Sequence, residues 1–241
     1  MYFYCLELWL LKEHLTRILA AATEFAQLYH DDYFSTPPSR SELQAKLVEY
    51  ASSVTYTSNP SENALPLTGW KIKLLLDYRG QTTLEHIPLN TTLSSPRGIV
   101  LAKQPVEDTH SIFVRCKTTR RKVYQDAWQS FGLPRPDIFD VILWNLEKRV
   151  TEGCISNIAV EIPDECTGAL VWKTPALSAG LLNGCLRQSY LARGKMVEAD
   201  LTIEDLVDAA RANQRIICFN SVRGDVPVRL ILDDNNSDVT C

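Results

Sequence analysis

Apolar residues recur along this chain with two different periods, and the change between them organises it. From Leu11 the helical spacing is sustained, with Leu15, Ile18, Leu19, Ala22, Phe25 and Ala26 on one face and His14 and Arg17 flanking it. Ahead of that stripe, residues 2–8 fit either a short strand or the first turns of a helix. Tyr29 to Pro38 reads as a loop closed by two prolines, and Ser39 with Glu42 makes a capping box for a second helix carrying Leu43, Leu47 and Tyr50. Ser52 to Thr68 is polar and contains proline, so a loop is expected there. Period two then takes over. Trp70, Ile72, Leu74 and Leu76 alternate with Lys71, Lys73 and Asp77, Arg79-Gly80 turns the chain, and Thr82 to Leu89 returns as a second strand. A further short strand, Gly98 to Lys103, leads into the polar stretch 104–110.

Strands dominate the second half. Past Ile112-Phe113-Val114 and Lys117-Thr118-Thr119, a helix carries Val123, Tyr124, Ala127, Trp128 and Phe131 on its apolar face and stops at Gly132 and Pro134. The apolar runs Ile138–Leu146 and Ile158–Ile162 then bracket Val150-Thr151-Glu152-Gly153-Cys154-Ile155-Ser156-Asn157. Two strands that look buried thus enclose one carboxylate, and a buried carboxylate needs a partner or gives up its charge. A turn from Pro163 to Gly168, a strand Ala169–Trp172 and a loop around Gly180 follow; Gly184 opens a short helix ending at Gly194. Thr202 and Asp205 cap a helix over Ile203–Ala212, the strands Arg215–Phe219 and Val226–Leu232 follow, and the tail from Asp233 is polar.

The pattern predicts an α+β protein in two domains. Residues 1–103 form a small N-terminal α+β domain with helices on a mainly antiparallel sheet, 104–110 a linker, and 111–241 a larger strand-rich domain. Composition narrows the function classes without choosing among them. With 25 Lys and Arg against 29 Asp and Glu, the net charge of −4 offers no basic stripe for nucleic acid. The seven cysteines are odd in number and scattered, which fits a reduced, cytoplasmic setting better than a disulfide framework. No apolar run is long enough to span a membrane, and the apolar start carries Glu7 and no basic leader, so a targeting peptide is not expected. His14, His30, His86 and His110 show no ligand spacing, so no metal site is expected, and no Ser-His-Asp set is recognisable. Singly, the polar residues are bland: a lysine after a strand is ordinarily solvated, and a glutamate between strands usually sits at a turn.

Their combination is not bland. Lys117-Thr118-Thr119-Arg120, Val150 to Asn157, Thr174-Pro175 with Gly180-Leu181-Leu182-Asn183-Gly184-Cys185-Leu186-Arg187, and Phe219-Asn220-Ser221-Val222-Arg223-Gly224 keep one order along the chain. Together with His14-Leu15-Thr16-Arg17 in the first helix, they resemble the class IV aminotransferases, pyridoxal-phosphate enzymes of fold type IV. The resemblance covers most of the chain and implies the two-domain fold of the D-amino-acid aminotransferases, a homodimer and pyridoxal 5′-phosphate as cofactor. By position it puts the cofactor-bearing catalytic lysine at Lys117 and the partner of the pyridine nitrogen at Glu152, supported by Ser156 and Asn157. It puts the phosphate on Arg17 and on the backbone of Cys185 and Leu186, and it makes Asn220 and Ser221 a second phosphate contact or a substrate-side one. Many relatives carry a threonine where Leu186 stands, so here an amide is kept and a hydroxyl lost.

Within the family, the run from Lys117 with Tyr124 looks most like the 4-amino-4-deoxychorismate lyases. The Asn-Tyr pair that usually follows the lysine in branched-chain and D-amino-acid aminotransferases is absent. The implied reaction gives 4-aminobenzoate and pyruvate, a step of folate biosynthesis, and a substrate with two carboxylates calls for arginines, of which Arg120, Arg121 and Arg223 are the candidates. Relatives also carry strands ahead of the first helix, including a Glu-Thr-x-Arg-like stretch; here the helix motif ends at Arg17, so the first domain is expected to be short at its start. The alternatives are an aminotransferase on the same fold and a non-catalytic relative lacking those strands.

Overall fold

The computed structural model describes residues 8–29, 37–57, 69–89, 97–132, 134–164 and 166–232, and its contacts divide the chain into two units, residues 1–92 and 93–241. In the first unit, helices α1 (Leu11–Leu28) and α2 (Arg40–Thr57) accompany a two-stranded antiparallel hairpin of β1 (Gly69–Leu76) and β2 (Thr82–Leu89). Leu15 of α1, Leu43 and Leu47 of α2, and Ile72, Leu74 and Leu84 of the hairpin share one apolar cluster. The capping box is present: Glu42 Oε2 accepts from Ser39 N–H at 2.7 Å, and Ser39 Oγ accepts from Glu42 N–H at 3.2 Å. Helix α2 runs to Thr57, past the expected loop start at Ser52. The spacing Leu47, Ala51, Val54 continues its buried stripe, and the Ser52 and Ser53 hydroxyls donate to the helix's own carbonyls, so these polar residues do not end it. The expected tail beyond Leu232, and most of the stretches 2–8, 29–38 and 58–68, lie outside the described residues.

The second unit is built on one mixed sheet of eight strands. These are β3 (Arg97–Leu101), β4 (Ile138–Trp144), β5 (Val150–Gly153), β6 (Asn157–Pro163), β7 (Leu170–Pro175), β8 (Val197–Ala199), β9 (Ile216–Asn220) and β10 (Gly224–Leu230), in spatial order β5-β4-β3-β10-β9-β6-β7-β8. Strand β3 is therefore not part of the small domain. Its run Gly98-Ile99-Val100-Leu101 lies between two parallel neighbours and is apolar on both faces, as an interior strand requires. Nor is 104–110 a linker: Val106 and Thr109 are buried, and Val106 N–H donates to Trp144 O at 2.8 Å, so this stretch is stitched onto the sheet and the division falls earlier.

The sheet has to curl. Strand β5 ends at Gly153 and β6 begins at Asn157, a connection of about 14 Å at most. In the strand order, five inter-strand steps separate them, or about 24 Å if the sheet were flat. The curl gives it two apolar faces. One, with Ile99, Phe139, Ile142, Ile158 and Val228, is closed by Leu206 and Ala209 of α6 (Ile203–Arg211); the other, with Val100, Ile138, Val141 and Leu143, is closed by Tyr124 of α4 (Lys122–Gln129). The predicted capping box of α6, Thr202 with Asp205, is formed in both directions. The remaining helices are α3 (Ile112–Arg115) and α5 (Cys185–Ala192).

Candidate active site

Glu152, third residue of β5, is 4 % exposed. Its Oε1 accepts from the Tyr124 hydroxyl at 2.7 Å and from Leu182 N–H at 3.1 Å. Among the described residues no donor reaches Oε2, so half of the carboxylate is saturated and half is open. Burial pushes the Glu152 carboxyl up to about 7, against the Tyr124 and Leu182 hydrogen bonds and the positive charges of Lys117 and Arg121, all of which favour the anion. Burial and the neighbouring Glu152 charge push the Tyr124 phenol well above its ordinary range, which keeps it the donor of that bond. Arg121 lies over the Tyr124 ring, 4.2 Å from its centre, and donates to the Cys154 carbonyl. Arg121 is thus engaged inward.

The turn after Glu152 rests on a second carboxylate. Asp140 is fully buried, and Ser156 Oγ donates to its Oδ2 at 2.5 Å. Ile155 N–H lies 3.2 Å from the same oxygen, and Val141 N–H donates to Oδ1 at 2.9 Å. Gly153 is required at this point, because a Cβ there would overlap Asp140 Oδ2 and crowd Ser156 Oγ. On the far side of Ser156, Asn157 donates from Nδ2 to Leu182 O at 3.0 Å, while its Oδ1 lies so close to Gly184 that a Cβ on that residue would overlap it. Asn157 therefore seats the loop that leads into α5. Arg187, fully buried in the first turn of α5, holds the same loop through Asn183 Oδ1 at 3.0 Å and Pro175 O at 2.8 Å. No side chain caps the N terminus of that helix, where Cys185 and Leu186 stand buried.

In register, Asn157 pairs with Phe219 of β9, which brings Asn220 to the same corner. Asn220 Nδ2 donates to Ile155 O at 3.1 Å, and its Oδ1 accepts from the N–H groups of Val222 and Arg223, each at 2.9 Å. The Ser221 hydroxyl in that turn has no partner among the described residues, and the Arg223 side chain is exposed there. Lys117 stands in the exposed link between α3 and α4, and Arg120 stacks on Phe113 with 4.4 Å to the ring centre. Arg17 lies on α1 of the first unit, 3.4 Å from His14 Nδ1. The structure thus gathers Glu152, Asn157, the start of α5 and the Asn220 turn at one corner of the second unit, with the Lys117 charge acting on Glu152.

The family model for class IV amino-transferases matches residues 1–231. The chain belongs to the class IV aminotransferase family. A protein of Schizosaccharomyces pombe named "Putative aminodeoxychorismate lyase" is 26% identical over 217 residues, 90% of this chain and 82% of that protein. Among solved structures, a "Putative amino-acid aminotransferase" from Mesorhizobium loti superposes with a TM-score of 0.73 at 22% identity, covering 95% of both chains. A "Putative 4-amino-4-deoxychorismate lyase" from Legionella pneumophila gives 0.62 at 17% identity, covering 94% of this chain and 78% of that one. The fold is fold type IV, as the sequence led us to expect; at these identities the solved structures speak for the fold alone.

The roles of two residues of this corner are not visible in the sequence pattern. Tyr124 lies on the apolar face of its helix, as its spacing predicts, but its hydroxyl serves Glu152. Asp140 stands inside the apolar run Ile138–Leu146 and anchors the turn after Glu152. A lone carboxylate within an otherwise apolar strand was the available signal, since such a group is buried only with donors around it. Among the described residues no three His, Cys, Asp or Glu side chains cluster as metal ligands, and no helix is long and apolar enough to cross a membrane.

Proposed function

We propose that this chain is a pyridoxal-phosphate-dependent lyase converting 4-amino-4-deoxychorismate to 4-aminobenzoate and pyruvate. The observation that carries the cofactor is Glu152, a buried carboxylate with Oε1 saturated by Tyr124 and Leu182 and with Oε2 open. Glu152 would hold the ring nitrogen of the cofactor, and the positive charge there would favour the anion that burial disfavours. The donor set at the corner fits the rest of the group: the uncapped start of α5, the Ser221 hydroxyl, and the turn held by Asn220 suit a phosphate. Arg17 is assigned to the phosphate from its helix motif.

Bound there, pyridoxal phosphate supplies an electron-withdrawing ring that accepts the electron pair of the bond being broken. Lys117 would hold the cofactor covalently through Nζ and, once displaced by the substrate amine, would use that nitrogen as the base that removes the substrate proton. Glu152 keeps the ring nitrogen protonated. Asn157 and Ser156 hold the peptides around Glu152 in place through Leu182 and Asp140. Arg120 and Arg223, both exposed, are the cations available to the two substrate carboxylates. The lyase reading is supported over an aminotransferase by the run Lys117-Thr118-Thr119-Arg120, which lacks the Asn-Tyr pair, and by the likeness to the S. pombe protein.

The test is direct. Apoprotein titrated with pyridoxal phosphate should turn yellow, and borohydride should fix the cofactor's mass on Lys117. Pyruvate and 4-aminobenzoate should then form without any keto acid; dependence on an added keto acid would make it an aminotransferase, and failure to take up the cofactor a non-catalytic relative. Lys117→Ala should abolish turnover. A cytoplasmic homodimer is part of the same reading, and light scattering of the purified protein tests its dimer.

A further inference from the structure

Asp140 is a buried carboxylate that the proposed chemistry does not use. Its position is set by a β-bulge: Gly98 pairs with Ile138, but Ile99 pairs with Asp140, so β4 carries one extra residue there. The extra residue breaks the alternation of the strand. Phe139 and Val141 would share a face in a regular strand, yet they belong to clusters on opposite faces of the sheet. Bulges re-aim side chains in this way, and here the carboxylate is turned beneath the link between β5 and β6.

The polar groups of that link are tied down in turn. Gly153 N–H donates to Ser156 O at 2.8 Å, Cys154 N–H donates to Val141 O at 3.0 Å, and Arg121 donates to Cys154 O. Ile155 is held at both backbone ends, its N–H by Asp140 and its carbonyl by Asn220 Nδ2 at 3.1 Å. The other end of the Asn220 amide accepts the N–H groups of Val222 and Arg223. One continuous path of hydrogen bonds therefore runs from Asp140 through Ile155 and Asn220 into the β9–β10 turn, although Asp140 makes no hydrogen bond to that turn.

We propose that Asp140 is a positioning residue that sets the β9–β10 turn, and with it the phosphate end of the site, from beneath the β5–β6 link. The phosphate half of this statement rests on the cofactor reading above; the coupling of the two turns does not. Asp140→Asn keeps the shape but replaces one of the two acceptor oxygens with an N–H₂ donor, so the Val141, Ile155 and Ser156 donors can no longer all be accepted.

Two measurements on purified Asp140→Asn protein decide it. Amide hydrogen exchange at Val222 and Arg223 should become roughly tenfold faster than in the wild type. The Kd for pyridoxal phosphate should rise roughly tenfold, while that for pyridoxal, which lacks the phosphate, should change little. Unchanged exchange at Val222 and Arg223, with faster exchange confined to residues 154–156, overturns the proposal. An equal loss for both ligands, or no loss for either, overturns its phosphate half. A wild type that binds neither ligand sinks the cofactor reading instead and leaves the exchange experiment to judge the coupling. Should Asp140→Asn fail to fold, Ser156→Ala removes the 2.5 Å bond to Asp140, together with the Ser156 contact to Cys218, and carries the same measurements.

Discussion

Two regions of the second unit each bury a carboxylate, one on either side of Gly153, and they treat it in opposite ways. Asp140 lies beneath the link in a closed setting, with Val141, Ile155 and Ser156 donating to its two oxygens. Glu152 has both of its donors on Oε1. Burial pushes each carboxyl up to about 7, so the shifted titration alone would not tell them apart. The distribution of donors does. A saturated carboxylate is a structural fixture, and a half-saturated one beside two cations is poised for a ligand.

That contrast can be broken in four ways, taken in decreasing order of effect. Glu152→Gln should reduce turnover on the order of a hundredfold or more, measured as pyruvate release. Folding should survive, because the amide oxygen still accepts from Tyr124 and Leu182. Full turnover would mean that Oε2 is not the functional half. Asp140→Ala should instead lower stability by about 3 kcal/mol, because the donors on Val141, Ile155 and Ser156 lose their buried acceptor. Urea unfolding of the apoprotein measures this, and a loss below about 1 kcal/mol would show the closed setting to be unimportant.

The third test uses pH. Both groups hold their proton in the fold up to about 7 and release it in the unfolded chain near the ordinary 3.8 and 4.5. Between those limits the unfolded chain binds fewer protons, so their contribution to stability is greatest below about pH 4 and is lost as pH rises through about 7. Melting the apoprotein across that range should show the decline. Asp140, facing Ser156 and the buried Cys218 and Cys154, and Glu152, facing Tyr124, Lys117 and Arg121, should each account for part of it. Asp140→Asn and Glu152→Gln should each flatten the slope; an unchanged slope in both would deny that these carboxyls are neutral in the fold. Last, Tyr124→Phe removes one hydroxyl and keeps the ring. It should cost about 1 kcal/mol and shift the titration of Glu152 upward, readable in the pH profile of the cofactor-bound absorbance. An unmoved profile would show the 2.7 Å bond to be incidental.

Much of the fold was legible because its signals are local. The α1 stripe from Leu11, the Thr82–Leu89 return strand and both capping boxes stand where periodicity and capping chemistry place them. Errors came where a segment's partner is remote. Gly98–Lys103 looks like one more strand of the small sheet until β4 and β10 are seen on either side of it. The stretch 104–110 is polar, yet Val106 and Thr109 are buried by contacts with residues far along the chain. At the site, Glu152 stands out as a carboxylate between two apolar runs, whereas Asp140 lies inside one run, where the apolar pattern masks it.

The residues alone determined the family, through four motifs kept in order along most of the chain, and with it the fold. Such motifs survive in sequence because each is a short segment whose residue types are demanded by one piece of backbone. Only the tertiary structure decided which oxygen of Glu152 is open, that Tyr124 reaches it, and that a bulge in β4 turns Asp140 under the link. Those facts depend on the curl that brings β5 back to β6 and on a register between β3 and β4, and neither strand carries the other's sequence.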